Sequence, residues 1–431
     1  MPSSKLALKG GTPAVDKEKA LAHTQFHGRY PLLLGEEIEA VVRLMRDGML
    51  SIGGREDVVA DFEDAFAAYH GIKYALSCNS GTASLYCAYE AAGAAPGVEV
   101  ITTPFTFITT VTAILACGAI PIFADLDPKT GNITAETIER CISPYTKAIS
   151  VVHVWGHPAD MDPIMELARK HNLIVVEDCS HAHGATYKGR KVGTIGHLGA
   201  FSLQASKNII AGEGGALITD DEDLYQRAVV TGHHVTRLKE VLANSEYRFF
   251  ADSGPLHKLR AAPIACAIAL EQLKRLDYWN EQRQASAALM SKELEGVSGF
   301  RPCYLAPDCT HGLHVYGFDY VPEELDGLPR EATVRALNAE GVPVGTAYSR
   351  PIYLTEMFQR RTLLNWSPWA CPPAKREVRY AQGDCPNCEQ RAWRTGLMMM
   401  WNWMIEPMPE LIKMYGEAFR KVSENHRELA G

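Results

Sequence analysis

The chain lacks any apolar run approaching the roughly 20 residues that span a bilayer. The most apolar stretch, LMMMWNWMIEPM from Leu397, is broken by Asn402, Glu406 and Pro407. It also lacks a basic surplus. The net charge is −8 and Lys and Arg do not cluster, which excludes nucleic acid as the main partner, since a phosphate backbone needs a basic face. The first residues, MPSSKLALKGGTPAVDKEK, hold no apolar segment, so no secretory leader is expected. There is no internal repeat and no low-complexity linker. The 11 cysteines are odd in number and scattered, and Cys78, Cys87, Cys117 and Cys266 sit in apolar segments. Reduced, buried thiols and a cytoplasmic location are expected, not a disulfide scaffold. Cys385-Pro386-Asn387-Cys388, with Cys371 upstream, is half a zinc pattern. No second CxxC or HxxxH completes it, so it reads as a loop with thiols.

What remains is a long, ordinary globular chain. Its 431 residues are 46% hydrophobic and 22% charged, enough for a large core and two domains. Helical spacing runs over Glu36–Asp47, with Ile38, Val41, Val42 and Met45 on one stripe and Gly48 as the stop, and again over Val58–Tyr69. Strand-like runs follow at Tyr74–Cys78, Val98–Thr102, Ile120–Ala124, Ala148–Val154 and Leu173–Glu177. Helical stretches at Ala83–Ala92, Phe107–Cys117, Ala135–Ile142 and Met161–Lys170 fall between them. This alternation predicts a mostly parallel sheet covered on both faces. Ligands of such sheets lie beyond the carboxyl ends of the strands. A helical run from Ala261 towards Leu294 leads out of the first domain. Beyond it, His314–Tyr320 reads as strand, and Arg330–Glu340 and Glu410–Val422 as helix. We expect an N-terminal arm over 1–30, a large domain over 31–280 and a smaller α+β domain over 281–431.

The loops after the strands carry the chemistry. In FSLQASKNIIAGEGG, Phe201 to Gly215, a single Lys207 lies between small residues and a glycine-rich turn. Upstream, LIVVEDCSHAHGA ends an apolar run on Glu177 and Asp178. An isolated amine and a strand-end carboxylate suit pyridoxal phosphate (PLP), which needs an amine for its Schiff base and an anion for its pyridinium nitrogen. Ser80 can cap a helix at Gly81–Thr82, whose free N–H groups and dipole favour a phosphate. An ordinary N-cap would look the same. Phe107 can lie on a planar ring or fill the core. His181 can reach a ring hydroxyl, or lie solvated with His183; Asp178, His181 and His183 also admit a metal reading, though no familiar ligand spacing completes it. Ser202 can donate to a phosphate. GEGG also fits a hairpin turn between two strands, and both readings hold together.

In order, SGTASL, TTPFTFITTVTAILACGAIPIFADLD, VVHVWGHPADMDPIMELARKHNLIVVEDCSHAHGATYKGRKVG and GAFSLQASKNIIAGEGGALITDD resemble the DegT/DnrJ/EryC1/StrS family of PLP-dependent sugar and aminocyclitol aminotransferases. The resemblance runs from about Pro31 over nearly the whole chain. It implies the fold type I, aspartate aminotransferase-like α/β architecture and a homodimer with active sites at the subunit interface. It implies that Lys207 forms the Schiff base, Asp178 pairs with the pyridine nitrogen and His181 sits near the ring hydroxyl. Phe107 would stack on the ring, and Gly81, Thr82 and Ser202 would hold the phosphate. Many family members carry GYNYRM, whose Asn reaches the neighbouring subunit's phosphate. Here Leu256-His257-Lys258-Leu259-Arg260 stands instead, so Lys258 would make a charge-assisted contact across the dimer. That variant, and WACPPAKREVRYAQGDCPNCEQR, are similar to the glutamine:scyllo-inosose aminotransferase branch. The implied donor is L-glutamine or L-glutamate, and the implied acceptor a keto-cyclitol or keto-sugar, in aminocyclitol-type natural product biosynthesis. Two rivals remain: a PLP-dependent dehydration or elimination, although the sugar 3-dehydratase branch has histidine at the lysine position, and a non-enzymatic PLP or sugar sensor. His153, Trp155, His157, Tyr316, Tyr348, Arg350 and Tyr353 are expected to wall the acceptor site, and Arg29 and Arg350 are candidates for a donor carboxylate or a charged acceptor, or for ordinary salt bridges.

Overall fold

The computed structural model describes residues 5–16, 18, 32–346, 348–370 and 377–429. Its centre is a seven-stranded sheet. In spatial order the strands are Tyr74–Cys78, Gly215–Thr219, Leu198–Ser202, Ile174–Asp178, Thr146–Val152, Glu99–Thr102 and Ile120–Phe123. The five strands from Leu198–Ser202 to Ile120–Phe123 pair in parallel. Gly215–Thr219 runs antiparallel to both of its neighbours. The expectation of a mostly parallel sheet is met, and the glycine-rich segment is indeed the turn joining two antiparallel strands.

The strands are apolar on both faces because helices cover both. Val100, Ala148, Val176 and Leu217 pack with the helices Gly81–Ala91 and Glu222–Gly232. The alternate residues Ile101, Ile149 and Val175 pack with Ile164 and Leu167 of the helix Met161–His171. Burial on both faces erases polar alternation, which is why these strands read as short apolar runs.

The helical run from Ala261 is two helices, Pro263–Leu273 and Leu276–Leu294. Leu276 belongs to the core beneath the large sheet. Ala287, Met290 and Leu294 belong to a second core. That core surrounds a three-stranded antiparallel sheet, in which Val315–Tyr320 lies between Phe300–Arg301 and Gly396–Met400. Leu6 and Val15 join it, and the backbone N–H groups of Ala7 and Ala14 donate to the buried Glu340 carboxylate at 2.7 and 2.8 Å. No described helix is long and apolar enough to cross a membrane.

Candidate active site

The carboxyl ends of four strands open into one cavity of about 630 Å³. Gly81, Thr82, Phe107, Asp178, His181, Ser202 and Lys207 all line it. Local sequence explains each placement. After the strand ending at Cys78, the Ser80 side chain accepts the Ala83 N–H at 3.1 Å and starts the helix Gly81–Ala91. Glycine is required at 81, because a Cβ there would lie 2.5 Å from the Ser202 Cβ. The helix start therefore lies against Ser202, its dipole and spare N–H groups facing the cavity.

Lys207 sits on a closed loop. Leu203 and Ala205 donate to the carbonyls of Gly214 and Gly212 at 2.9 Å each, and the Lys207 N–H donates to Gln204 at 2.8 Å. Gly212 takes φ +80° to close the turn, a conformation glycine adopts without a Cβ clash. Asn402 Nδ2 donates to the Ser206 carbonyl at 2.6 Å, so the second core also holds the loop. Burial lowers the Lys207 amine to about 8, against the opposing pull of the Asp178 charge. An amine so held is a much better nucleophile at neutral pH than a surface lysine.

Asp178, only 3% exposed, ends its strand at the cavity floor. It accepts the Thr110 hydroxyl at 2.8 Å and the Ser180 N–H at 3.1 Å. His181 is buried rather than solvated, and its Nδ1 has no hydrogen-bond partner in the protein. Burial, then the nearby Lys207 and His183, holds its pKa well below the ordinary value, so the ring is neutral and open to a ligand's hydroxyl. Phe107 is not core. It is 56% exposed on the cavity rim, whereas Phe105 is the buried ring, in edge contact with Trp155 at 5.4 Å and Tyr348 at 5.0 Å.

The expected acceptor wall needs correction. Of its candidates, Tyr348 lines the cavity; the others do not. His153 is buried and bonds Glu177 at 2.9 Å. Trp155 turns inward at φ +60° under Gly317, where a Cβ would meet its ring at 2.0 Å. His157 accepts from Ala306 N–H at 3.3 Å, Tyr316 bonds Ser291 at 2.9 Å, and the Tyr353 hydroxyl donates to Glu389 at 2.5 Å. Arg350 is exposed and off the cavity, and Arg29 lies outside the described residues. Lys258 is exposed and does not line its own chain's cavity.

Residues from the second core that sequence reading missed complete the site. His314 and Met400 line the cavity from the small sheet, and His314 stacks on His181 with ring centroids 4.8 Å apart and planes 9° apart. Thr106, Thr110 and Gln204 also line it. The hydroxyls of Thr106 and Thr110 had a visible spacing of four, but nothing in the sequence tied them to Asp178.

Among the described residues, the side chains that converge like a metal site are His153, Glu177 and Cys179. Glu177 is already saturated there. It accepts from the N–H groups of Gly193, Ile195 and Gly196 as well as from His153. Burial alone would raise its pKa, and these donors outweigh it and lower it. Every described cysteine is unpaired. Cys385 and Cys388 are buried, and Asp125 accepts from the N–H groups of Asn387 and Cys388 at 3.0 Å each.

A cofactor's requirements are met here by donor set and shape: an amine near neutrality, a buried carboxylate, a helix start fitted for an anion, an unpartnered imidazole nitrogen and an exposed aromatic face. Together with the sheet, this defines the class: a PLP-dependent aminotransferase of the fold type I architecture. The chain belongs to the DegT/DnrJ/EryC1/StrS aminotransferase family, whose profile matches residues 32–376. It is 41% identical to the GDP-perosamine synthase of Caulobacter vibrioides, over 75% of this chain and 83% of that protein. It is 34% identical to the L-glutamine:2-deoxy-scyllo-inosose aminotransferase of Streptomyces kanamyceticus, over 81% and 83%. The solved aminotransferase of Psychrobacter cryohalolentis superposes with a TM-score of 0.78 at 32% identity, covering 92% of this chain and 98% of that one.

Proposed function

We propose that this enzyme transfers the amino group of L-glutamine, or of L-glutamate, to the ketone of an uncharged cyclitol of the inosose type, in aminocyclitol natural product biosynthesis. The observation that carries the reading is the make-up of the cavity. Lys207 and Asp178 share it, and among its described lining residues Lys207 is the one lysine or arginine. The remaining wall includes Gln204, Ser206, His314 and Tyr348, groups that hydrogen-bond hydroxyls, and the carboxylate of Glu213. A nucleotide-linked keto-sugar carries a diphosphate, which needs cations. The GDP-perosamine synthase relative makes that acceptor the natural second panel in any assay.

In this reading Lys207 would hold the cofactor covalently and, once released from it, would move a proton at the substrate carbon. Asp178 would pair with the pyridine nitrogen, Phe107 would cover the ring, His181 would meet the ring hydroxyl, and Gly81, Thr82 and Ser202 would hold the phosphate. PLP bound here supplies the electron sink for charge developing at the amino-bearing carbon. His314, neutral because burial and then Lys207 hold its pKa well below the ordinary value, lines the same cavity and would meet the acceptor.

We further infer a homodimer. The helix Gly35–Asp47 buries Glu37 and leaves its apolar stripe outward, with Ile38 54% and Met45 62% exposed. A second copy covering this stripe removes that exposed apolar face from water, and Lys258 is then free to reach the partner's phosphate site. The test is turnover. Lys207→Ala should abolish amino transfer, and a variant with full activity would end the assignment. Keto acid release from glutamine without amination of any acceptor would favour elimination instead.

A further inference from the structure

The Asp178 carboxylate is set by a relay of two hydroxyls. Thr110 Oγ1 lies 2.8 Å from Asp178 Oδ2, and Thr106 Oγ1 lies 3.1 Å from Thr110 Oγ1. All three side chains are buried. A carboxylate only accepts, so the single Thr110 proton is committed to Asp178. The Thr110 oxygen then accepts, and the Thr106 proton must point at Thr110. Both protons run one way. Hydrogen bonds aligned in series in a low-dielectric site strengthen one another.

The same turn carries Phe107. The Thr110 N–H donates to the Phe107 carbonyl at 3.2 Å, so one short segment presents an aromatic ring to the cavity and anchors the carboxylate at its floor. We propose that Thr110, backed by Thr106, is a positioning residue that fixes the plane of Asp178 against the pyridine nitrogen; this rests on the functional reading above. Asp178 alone has rotational freedom about its terminal bond. Donors on both oxygens, Thr110 on one and the Ser180 N–H on the other, remove it.

The test compares wild-type holoenzyme with Thr110→Val, Thr110→Ser and Thr106→Val. The readouts are the dissociation constant for PLP and the pH midpoint of the bound cofactor's absorbance change. The titratable groups around Asp178 are Lys207 on its loop, Tyr89 on the helix Gly81–Ala91, Cys179 beside it and Tyr348 across the cavity. Burial holds the phenols and the thiol uncharged near neutrality, and it holds His181, His183 and His314, which lie near Lys207, neutral as well, so the midpoint reports the cofactor and Lys207. Thr110→Val keeps the shape and loses the donor. It should weaken PLP binding about 10- to 150-fold, as loss of a hydrogen bond to a charged group does. It should also move the midpoint upward, because a poorly paired pyridine nitrogen withdraws less charge from the Lys207 nitrogen. Thr110→Ser should restore both, and Thr106→Val should shift both less, in the same direction. Wild-type PLP affinity and midpoint in Thr110→Val would overturn the proposal. Should that variant fail to fold, an unshifted Thr106→Val overturns it equally. A wild-type chain that takes up no PLP would sink the functional reading instead.

Discussion

Lys207 should capture PLP with a pH dependence set by its burial. Its amine is lowered from 10.5 to about 8. At pH 7.5 about a quarter of it is neutral, against about one part in a thousand for an unperturbed lysine, a gain of roughly 200-fold in nucleophile. Cofactor-free enzyme mixed with PLP in a stopped-flow spectrometer should show a capture rate that rises about tenfold per pH unit below 8 and levels above it. Asp178 pulls the other way, so Asp178→Asn should move the break below 8. A rate that climbs without a break to pH 10 would refute the argument. The same shift has a stability consequence. The folded pKa lies below the unfolded one, so between about 8 and 10.5 the unfolded chain binds more protons and stability rises with pH. Below 8 the full cost of burying the ammonium is present. Cofactor-free Lys207→Met should therefore be more stable than wild type at pH 7, by about 1–2 kcal/mol once the partial exposure of the side chain is allowed for. Equal denaturant midpoints at pH 7 would contradict it.

Gly81→Ala should destroy cofactor binding, because its Cβ would overlap Ser202 at 2.5 Å; a PLP titration that matches wild type would count against the proposed phosphate site. Asp at Ile38 and Met45 together should yield a monomer by light scattering, with weakened PLP retention if Lys258 acts across the interface. Arg237→Met should cost about 1–3 kcal/mol in urea unfolding, since the buried Glu63 loses its 2.8 Å partner Arg237 and keeps only Arg55 at 3.3 Å and the Ser77 donors.

The large sheet was legible because its strands are continuous apolar runs. Tyr74–Cys78 appears at its expected bounds, the other four expected strands shift by one or two residues, and Leu198–Ser202 and Gly215–Thr219 were given no bounds beforehand. Gly396–Met400 was not legible as strand, since its methionines show no alternation and its partner, Val315–Tyr320, lies some 80 residues away. The residues expected around a cofactor, Lys258 apart, line one cavity because each lies at a strand end, at a helix start or in the loop just after a strand. The residues expected to wall the acceptor, Tyr348 apart, do not. His153 and Trp155 also follow a strand, yet Glu177 and the space above Gly317 draw them inward. His314 reaches the cavity through packing between two cores, which no local pattern encodes.

The central claim is amino transfer to a cyclitol ketone. It is tested most directly by supplying glutamine labelled with ¹⁵N at the α-amino group, together with scyllo-inosose or an amino-inosose, and reading the products by mass spectrometry. The aminocyclitol should carry ¹⁵N, with an equal amount of the 2-oxo acid of glutamine formed. Label that enters an acceptor only when a nucleotide-linked 4-keto-sugar is supplied in place of the inosose, or that enters none while the 2-oxo acid accumulates, would contradict it.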